Sequence, residues 1–196
     1  MFETRPKVAR SELILGGQRS GKSRRAEGLA QSWLTASRAH HAVLLATAQA
    51  GDDEMRQRIE RHQADRAARL GRVATVEEPL ALAEAIRSYS RPETLVLVDC
   101  LTLWLTNQLM PVQPPAAGHD VPKPSVRIGA LIEVLQSAPG PVVLVSNEIG
   151  LGVVPMGNAV RGFVDTLGQL NQAVAAVCER VTLMAAGLPM ILKDGR

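Results

Sequence analysis

Aromatic side chains are scarce in this 196-residue chain, which has two Phe, two Trp and one Tyr. Proteins that hold single-stranded nucleic acid stack bases on aromatic rings and follow the backbone with dense positive charge. Neither is present: the formal net charge is only +3, and the basic residues are dispersed apart from Arg24-Arg25 and Arg56-Arg58-Arg61. Nucleic acid is therefore not an expected partner. Cysteine is nearly absent too. Cys100 and Cys178 stand far apart with no C-x-x-C partner, which argues against a zinc site or a disulfide framework and for reduced thiols in a cytoplasmic protein. No apolar run approaches the 18 residues of a membrane span. The first ten residues lack the apolar core of a secretory signal. Residues 1–11 read as a flexible leader and 12–196 as a single domain, long enough to bury one sizeable core.

What the chain does have is alternation. Short β-branched or Leu-rich runs at 13–16, 43–47, 73–76, 94–99, 142–146 and 181–185 are separated by helical patterns at 22–37, 52–70, 79–88, 101–109, 126–136 and 158–178. A last run at 190–193 suits an edge strand. Continuous apolar strands alternating with helices imply an α/β fold, a mostly parallel sheet with helices on both faces. The one compositional break is 111–124, where five of fourteen residues are proline, which reads as an extended loop or lid.

The first strand runs directly into Gly16-Gly17-Gln18-Arg19-Ser20-Gly21-Lys22-Ser23, which satisfies G-x-x-x-x-G-K-[ST]. The motif needs a strand before it and a helix after it, because it works by aiming backbone N–H groups and a helix N-terminus at phosphate oxygens. Both flanks are present. With Gly at about 7% of residues, a chance match in this length is well under one in a hundred. The chain is expected to bind a nucleoside triphosphate, ATP or GTP. Lys22 is expected to reach the β- and γ-phosphates and Ser23 to hold Mg²⁺.

A phosphate loop also needs a carboxylate near the metal, at the carboxyl end of a neighbouring strand. Asp99, after Leu95-Val96-Leu97-Val98, has that place, although it could also cap the helix that follows; the two roles are compatible. In the 52–70 helix, Met55, Ile59, His62 and Arg66 share one face. A hydrogen-bonded core histidine beside a snorkelling arginine would explain this. So would a histidine nucleophile attacking phosphorus with an arginine one turn away. Spacing alone does not choose. Thr47-Ala48-Gln49 lie past the second strand, at the rim where open α/β sheets bind ligands. Glu77 follows the third run, as a ribose-binding carboxylate or a solvated loop residue. Ser146-Asn147-Glu148-Ile149-Gly150 shares that rim and is not the guanine-reading motif of switch GTPases. Cys100 reads as a buried small apolar residue.

Several further segments join these: Asp52-Asp53-Glu54-Met55, Arg58-Ile59-x-x-His62, Thr75-Val76-Glu77-Glu78-Pro79, Val98-Asp99-Cys100-Leu101-Thr102, Ser146-Asn147-Glu148-Ile149-Gly150-Leu151-Gly152 and Ala186-Gly187-Leu188-Pro189. In order and spacing the whole, from about Glu12 to Lys193, resembles the bifunctional adenosylcobinamide kinase / adenosylcobinamide-phosphate guanylyltransferase family of cobalamin biosynthesis. The resemblance implies a P-loop NTPase fold similar to RecA and a homo-oligomer, a trimer. It also implies two reactions. A triphosphate phosphorylates the aminopropanol hydroxyl of adenosylcobinamide; GTP then guanylylates a histidine, which passes GMP to adenosylcobinamide phosphate and leaves pyrophosphate. By the same resemblance the histidine is His62. Nucleotide contacts fall on the phosphate loop, Thr47, Ala48, Gln49, Gln63, Ala64, Asp65, Arg66, Glu77 and Asp99. The chain departs from many members at Met156-Gly157, where they have Glu-Asn. Two rivals stand beside this reading: a P-loop kinase of small molecules with one activity, and a RecA-like nucleotide-gated assembly module.

Overall fold

The computed structural model describes residues 7–49, 56–57, 73–111 and 122–195. Seven strands form one sheet in the order β3-β2-β4-β5-β1-β6-β7: β1 Ser11–Gly16, β2 His41–Ala46, β3 Ala74–Glu77, β4 Thr94–Asp99, β5 Val142–Val145, β6 Arg180–Ala185 and β7 Leu188–Asp194. All neighbouring pairs are parallel except the β6–β7 hairpin. Among the described residues these helices connect them: α1 Lys22–Ala36, α2 Leu82–Tyr89, α3 Leu101–Leu109, α4 Pro124–Ser137 and α5 Asn158–Val177.

The apolar runs are continuous because the inner strands are covered on both sides. Successive side chains of a strand point to opposite faces. Ile14, Leu44, Leu95, Leu97, Val143 and Val145 therefore meet α1 through Ala26, Leu29 and Ala30. Leu13, Leu15, Leu45, Val96, Val98 and Leu144 meet α2, α3, α4 and α5 on the other face, where Trp104, Leu131 and Leu170 are fully or almost fully buried.

Element bounds differ from the sequence expectation where side chains intervene. The helix anticipated from Pro79 begins at Leu82, because Glu78 Oε1 accepts from the Leu80 and Ala81 N–H groups and holds a turn there. α4 starts two residues early, with Pro124 in the first turn where its missing N–H costs nothing. β1 begins at Ser11; just before it, Ala9 is buried and Arg10 donates its N–H to Glu179 Oε2 at 2.7 Å. From the expected 52–70 helix only Arg56 and Gln57 are described, and both are helical.

Chain order explains why β1 matters. From β1 the chain crosses to β2 and β3, returns through β4 and β5, and only then passes to β6 on the other side of β1. Strand order reverses at β1, and in open sheets ligands bind outside the carboxyl end at such a switch point.

Candidate nucleotide site

The phosphate loop sits where β1 ends. Gly16 has φ +151, and a Cβ there would lie 2.5 Å from the Met184 carbonyl oxygen and 2.5 Å from Ser20 Oγ. Only glycine lets the loop lie this close to β6. Arg19 and Gly21 also have positive φ, 56 and 100. Gly21 is the N-cap of α1 and offers no side-chain cap, and the first turn holds no acidic residue. The N–H groups that Ser, Asp or Asn would ordinarily satisfy thus remain for an anion. Ser20 Oγ is buried with no hydrogen-bond partner among the described residues. Gly17, Gln18 and Arg19 are exposed, and Ser20 and Ser23 are half-buried. These donors suit a polyphosphate.

Lys22 is buried, and its ammonium donates to the Gly17 carbonyl across the loop at 2.7 Å. Burial lowers its pKa from the ordinary lysine value, while the neighbouring Cys100 and Asp99 acids oppose that shift. Lys22 and Asp99 therefore share one electrostatic environment although β5 lies between their strands. Ser23, half-buried next to Lys22, and Asp99 are of the hydroxyl and carboxylate donor types that Mg²⁺ takes. Among the described residues no cluster of three or more His, Cys, Asp or Glu could hold a metal unaided.

The remaining expected residues divide. Thr47 is fully buried, and its hydroxyl exchanges two bonds with the Cys100 backbone, donating to the carbonyl at 2.7 Å and accepting from the N–H at 2.9 Å. That hydroxyl ties the end of β2 to the end of β4; Ala48 and Gln49, half-buried, form the accessible part of the loop. Glu77 ends β3 beside Ala46 and is exposed. Cys100 is buried, its thiol pushed up to about 11 by burial and by Asp99, so it stays protonated near neutrality. His62, Gln63, Ala64, Asp65 and Arg66 lie outside the described residues, as does most of the proline-rich segment.

Three supports of the site were not anticipated. Asn107 in α3 donates through Nδ2 to the Thr47 carbonyl at 2.7 Å and the Pro79 carbonyl at 3.2 Å. Thr102 accepts the Asn147 N–H at 2.8 Å, which fixes the loop after β5. Gly187 in the β6–β7 turn donates its N–H to the Ser20 carbonyl at 3.0 Å, buttressing the phosphate loop from the far side. Polar identity inside an apolar helix was the only signal for Asn107, whereas Thr102 and Gly187 stood in the segments that carry the family resemblance.

The overall fold recurs in solved structures. The flagellar accessory protein FlaH of Methanocaldococcus jannaschii superposes with a TM-score of 0.51 at 12% identity, covering 96% of this chain and 80% of FlaH. A Pyrococcus horikoshii protein gives 0.55 at 9%, covering 98% and 90%. These show the fold alone, a mostly parallel α/β sheet with helices on both faces. Family follows from sequence. The model of the cobinamide kinase / cobinamide phosphate guanyltransferase family matches residues 12–192. The chain belongs to that family. The bifunctional adenosylcobalamin biosynthesis protein CobP of Pseudomonas aeruginosa is 51% identical over 183 residues, 93% of this chain and 96% of CobP. CobU of Escherichia coli is 36% identical over 187 residues, 92% and 98% respectively. As a member of the cobinamide kinase / guanyltransferase family, the chain is a bifunctional transferase of cobalamin biosynthesis. Family membership removes the assembly-module rival. No described helix is long and apolar enough to cross a membrane.

Proposed function

We propose that the chain carries out both transfers on one nucleotide cradle, phosphorylating the aminopropanol hydroxyl of adenosylcobinamide and then attaching GMP to the new phosphate. The observation that supports this most is the intact, uncapped phosphate loop with Lys22 beside Asp99, in a chain that matches the family from residue 12 to 192. In the kinase step the loop holds the β- and γ-phosphates of ATP or GTP and presents the γ-phosphoryl to the hydroxyl. In the guanylyl step His62, neutral when it attacks, forms a bond from its imidazole nitrogen to the α-phosphorus of GTP, and the bond to pyrophosphate breaks. A phosphate oxygen of the acceptor then takes the α-phosphorus and releases His62. Gln63, Ala64, Asp65, Arg66, Thr47, Ala48, Gln49 and Glu77 are assigned to nucleotide contacts around that step. Ser23 and Asp99 would hold Mg²⁺, which supplies neutralisation of phosphate charge.

The protein is proposed to act as a homo-oligomer, a trimer. All of β7 is exposed, with Leu188 at 68%, Met190 at 53% and Ile191 at 56%. An apolar strand left open at a sheet edge calls for a cover. Both cysteines are free, as suits the reducing cytoplasm.

The test is covalent labelling. Wild-type protein incubated with GTP labelled at the α-phosphate, then denatured, is expected to retain acid-labile, base-stable label that adenosylcobinamide phosphate discharges. His62→Ala is expected to retain none while keeping much of the kinase step. Equal labelling of the two proteins removes His62 as the nucleophile. Phosphoryl transfer with no covalent label in the wild type favours a kinase with one activity.

A further inference from the structure

A cavity of about 830 Å³ lies along α5, between the loop at 148–155 and the β6–β7 hairpin. It is lined by Leu15, the residue before Gly16, and by Glu148, whose N–H donates to the Gly16 carbonyl at 3.1 Å. The cavity therefore abuts the start of the phosphate loop, on the sheet face opposite α1. Its volume is near the top of the roughly 300–1,000 Å³ range of small-molecule sites.

The wall has two characters. Val153, Val154 and Leu192 are apolar and largely exposed. Facing them is a stripe of α5 that carries the amides Gln169, Asn171 and Gln172. Asn171 is 4% exposed, and its Nδ2 donates to the Asn147 carbonyl at 3.1 Å. Its Oδ1 is buried with no partner among the described residues. A buried amide oxygen left without a donor is costly, and such a group on a cavity wall asks for a ligand N–H.

We propose that this cavity docks the acceptor, the corrinoid, by its carboxamide-fringed face, with Asn171 Oδ1 accepting from one ligand amide. This rests on the function proposed above and adds the location of its second substrate. A corrin is a broad, largely apolar plate with amide arms around its edge, so it needs apolar walls and amide partners together. The triphosphate cradle offers neither. A plate seated against Leu15 and Glu148 has its hydroxyl-bearing arm beside the strand end that presents the phosphoryl group. A second copy of the chain is the competing occupant. The unfilled buried amide and the bond joining the cavity wall to Gly16 favour the substrate.

Gly168 supplies the test. It lies on the cavity wall within α5, and a Cβ added there meets nothing within 4 Å. Gly168→Leu therefore projects into the cavity while improving helix propensity. Equilibrium dialysis of the full-length protein against adenosylcobinamide, read by corrin absorbance, is expected to show wild type and Gly168→Ala binding alike. Gly168→Leu should bind at least about tenfold more weakly, with its affinity for GTP within about twofold as the check on folding. Equal binding by wild type and Gly168→Leu overturns the site. Loss of binding together with a fall in subunit number by light scattering also overturns it, and assigns the cavity to contact between copies. A wild type that binds GTP but no corrinoid overturns the proposed function itself.

Discussion

Glu12 is the most completely buried charge in the described chain, at 0% exposure, two residues into β1. It is kept by Arg25 at 3.4 Å, Arg180 at 3.5 Å and the Thr182 hydroxyl at 2.8 Å. Arg180 in turn binds Asp194 and the Lys7 carbonyl, so one cluster ties β1 and α1 to the hairpin and the chain start. Glu12→Ala should remove about 3 kcal/mol, because breaking a buried pair strands its partners; urea unfolding measures this, and a loss under ~1 kcal/mol would show the cluster to be dispensable. No local pattern announces it, since Arg180 and Thr182 stand nearly the whole chain away from Glu12. The cysteines were easier to read. Burial is foremost in pushing both thiols from 9.0 up to about 11. The unfolded chain loses those protons first, so stability should fall as pH climbs from about 9 to about 11. Cys100→Ala should flatten that decline in thermal melts across the same window, and native thiols should resist iodoacetamide near neutral pH.

At the scale of elements, α3 acts as a clamp. Its apolar side fills the core through Leu101, Trp104 and Leu105, while polar side chains secure three loops of the carboxyl rim. Thr102 takes the loop after β5. Asn107 takes the loops after β2 and β3, and the Trp104 indole N–H donates to the Leu80 carbonyl at 3.0 Å. Asn107→Leu keeps the volume and removes both donations. It should lower stability by about 1–3 kcal/mol, the cost of stranded buried carbonyls. It should also raise KM for GTP more than it lowers kcat, because the displaced loops carry Gln49 and adjoin Glu77 at the end of β3. Unchanged KM would limit Asn107 to stability. This helix shows where legibility ends. Its period and its place after a strand were plain, as were the strands, because two-sided burial writes itself as unbroken apolar runs. The places of the glycine-rich loop between β1 and α1 and of Asp99 at the end of β4 were legible because the motif fixes its residue types at fixed spacing and the apolar run before Asp99 marks the strand. The clamp was not, because Asn107 meets carbonyl groups whose positions only the folded sheet determines.

The whole molecule leaves one side unfinished. The inner strands are covered on both faces, yet β7 is open along its entire length. The sequence suggested an edge strand at 190–193; the strand is longer, Leu188–Asp194, and as apolar as an inner one. The proposed homo-oligomer would bury this face, because a further chain gains the burial that the fold itself does not use. Light scattering should therefore give a multiple of the 21.0 kDa chain mass. Thermal midpoints should rise with protein concentration, since association stabilises only the folded state. Leu188→Lys with Met190→Lys puts two charges on the open face without touching the phosphate loop or α3. That variant should lose subunits and its concentration dependence together, and unfold several degrees earlier at equal concentration. A single-chain mass for the wild type at micromolar concentration would mean that β7 stands open in solution. A fall in covalent guanylylation that tracks the loss of subunits would place part of the nucleotide site in the neighbouring copy. Unaltered labelling in the dissociated variant would show that each chain holds its cradle complete.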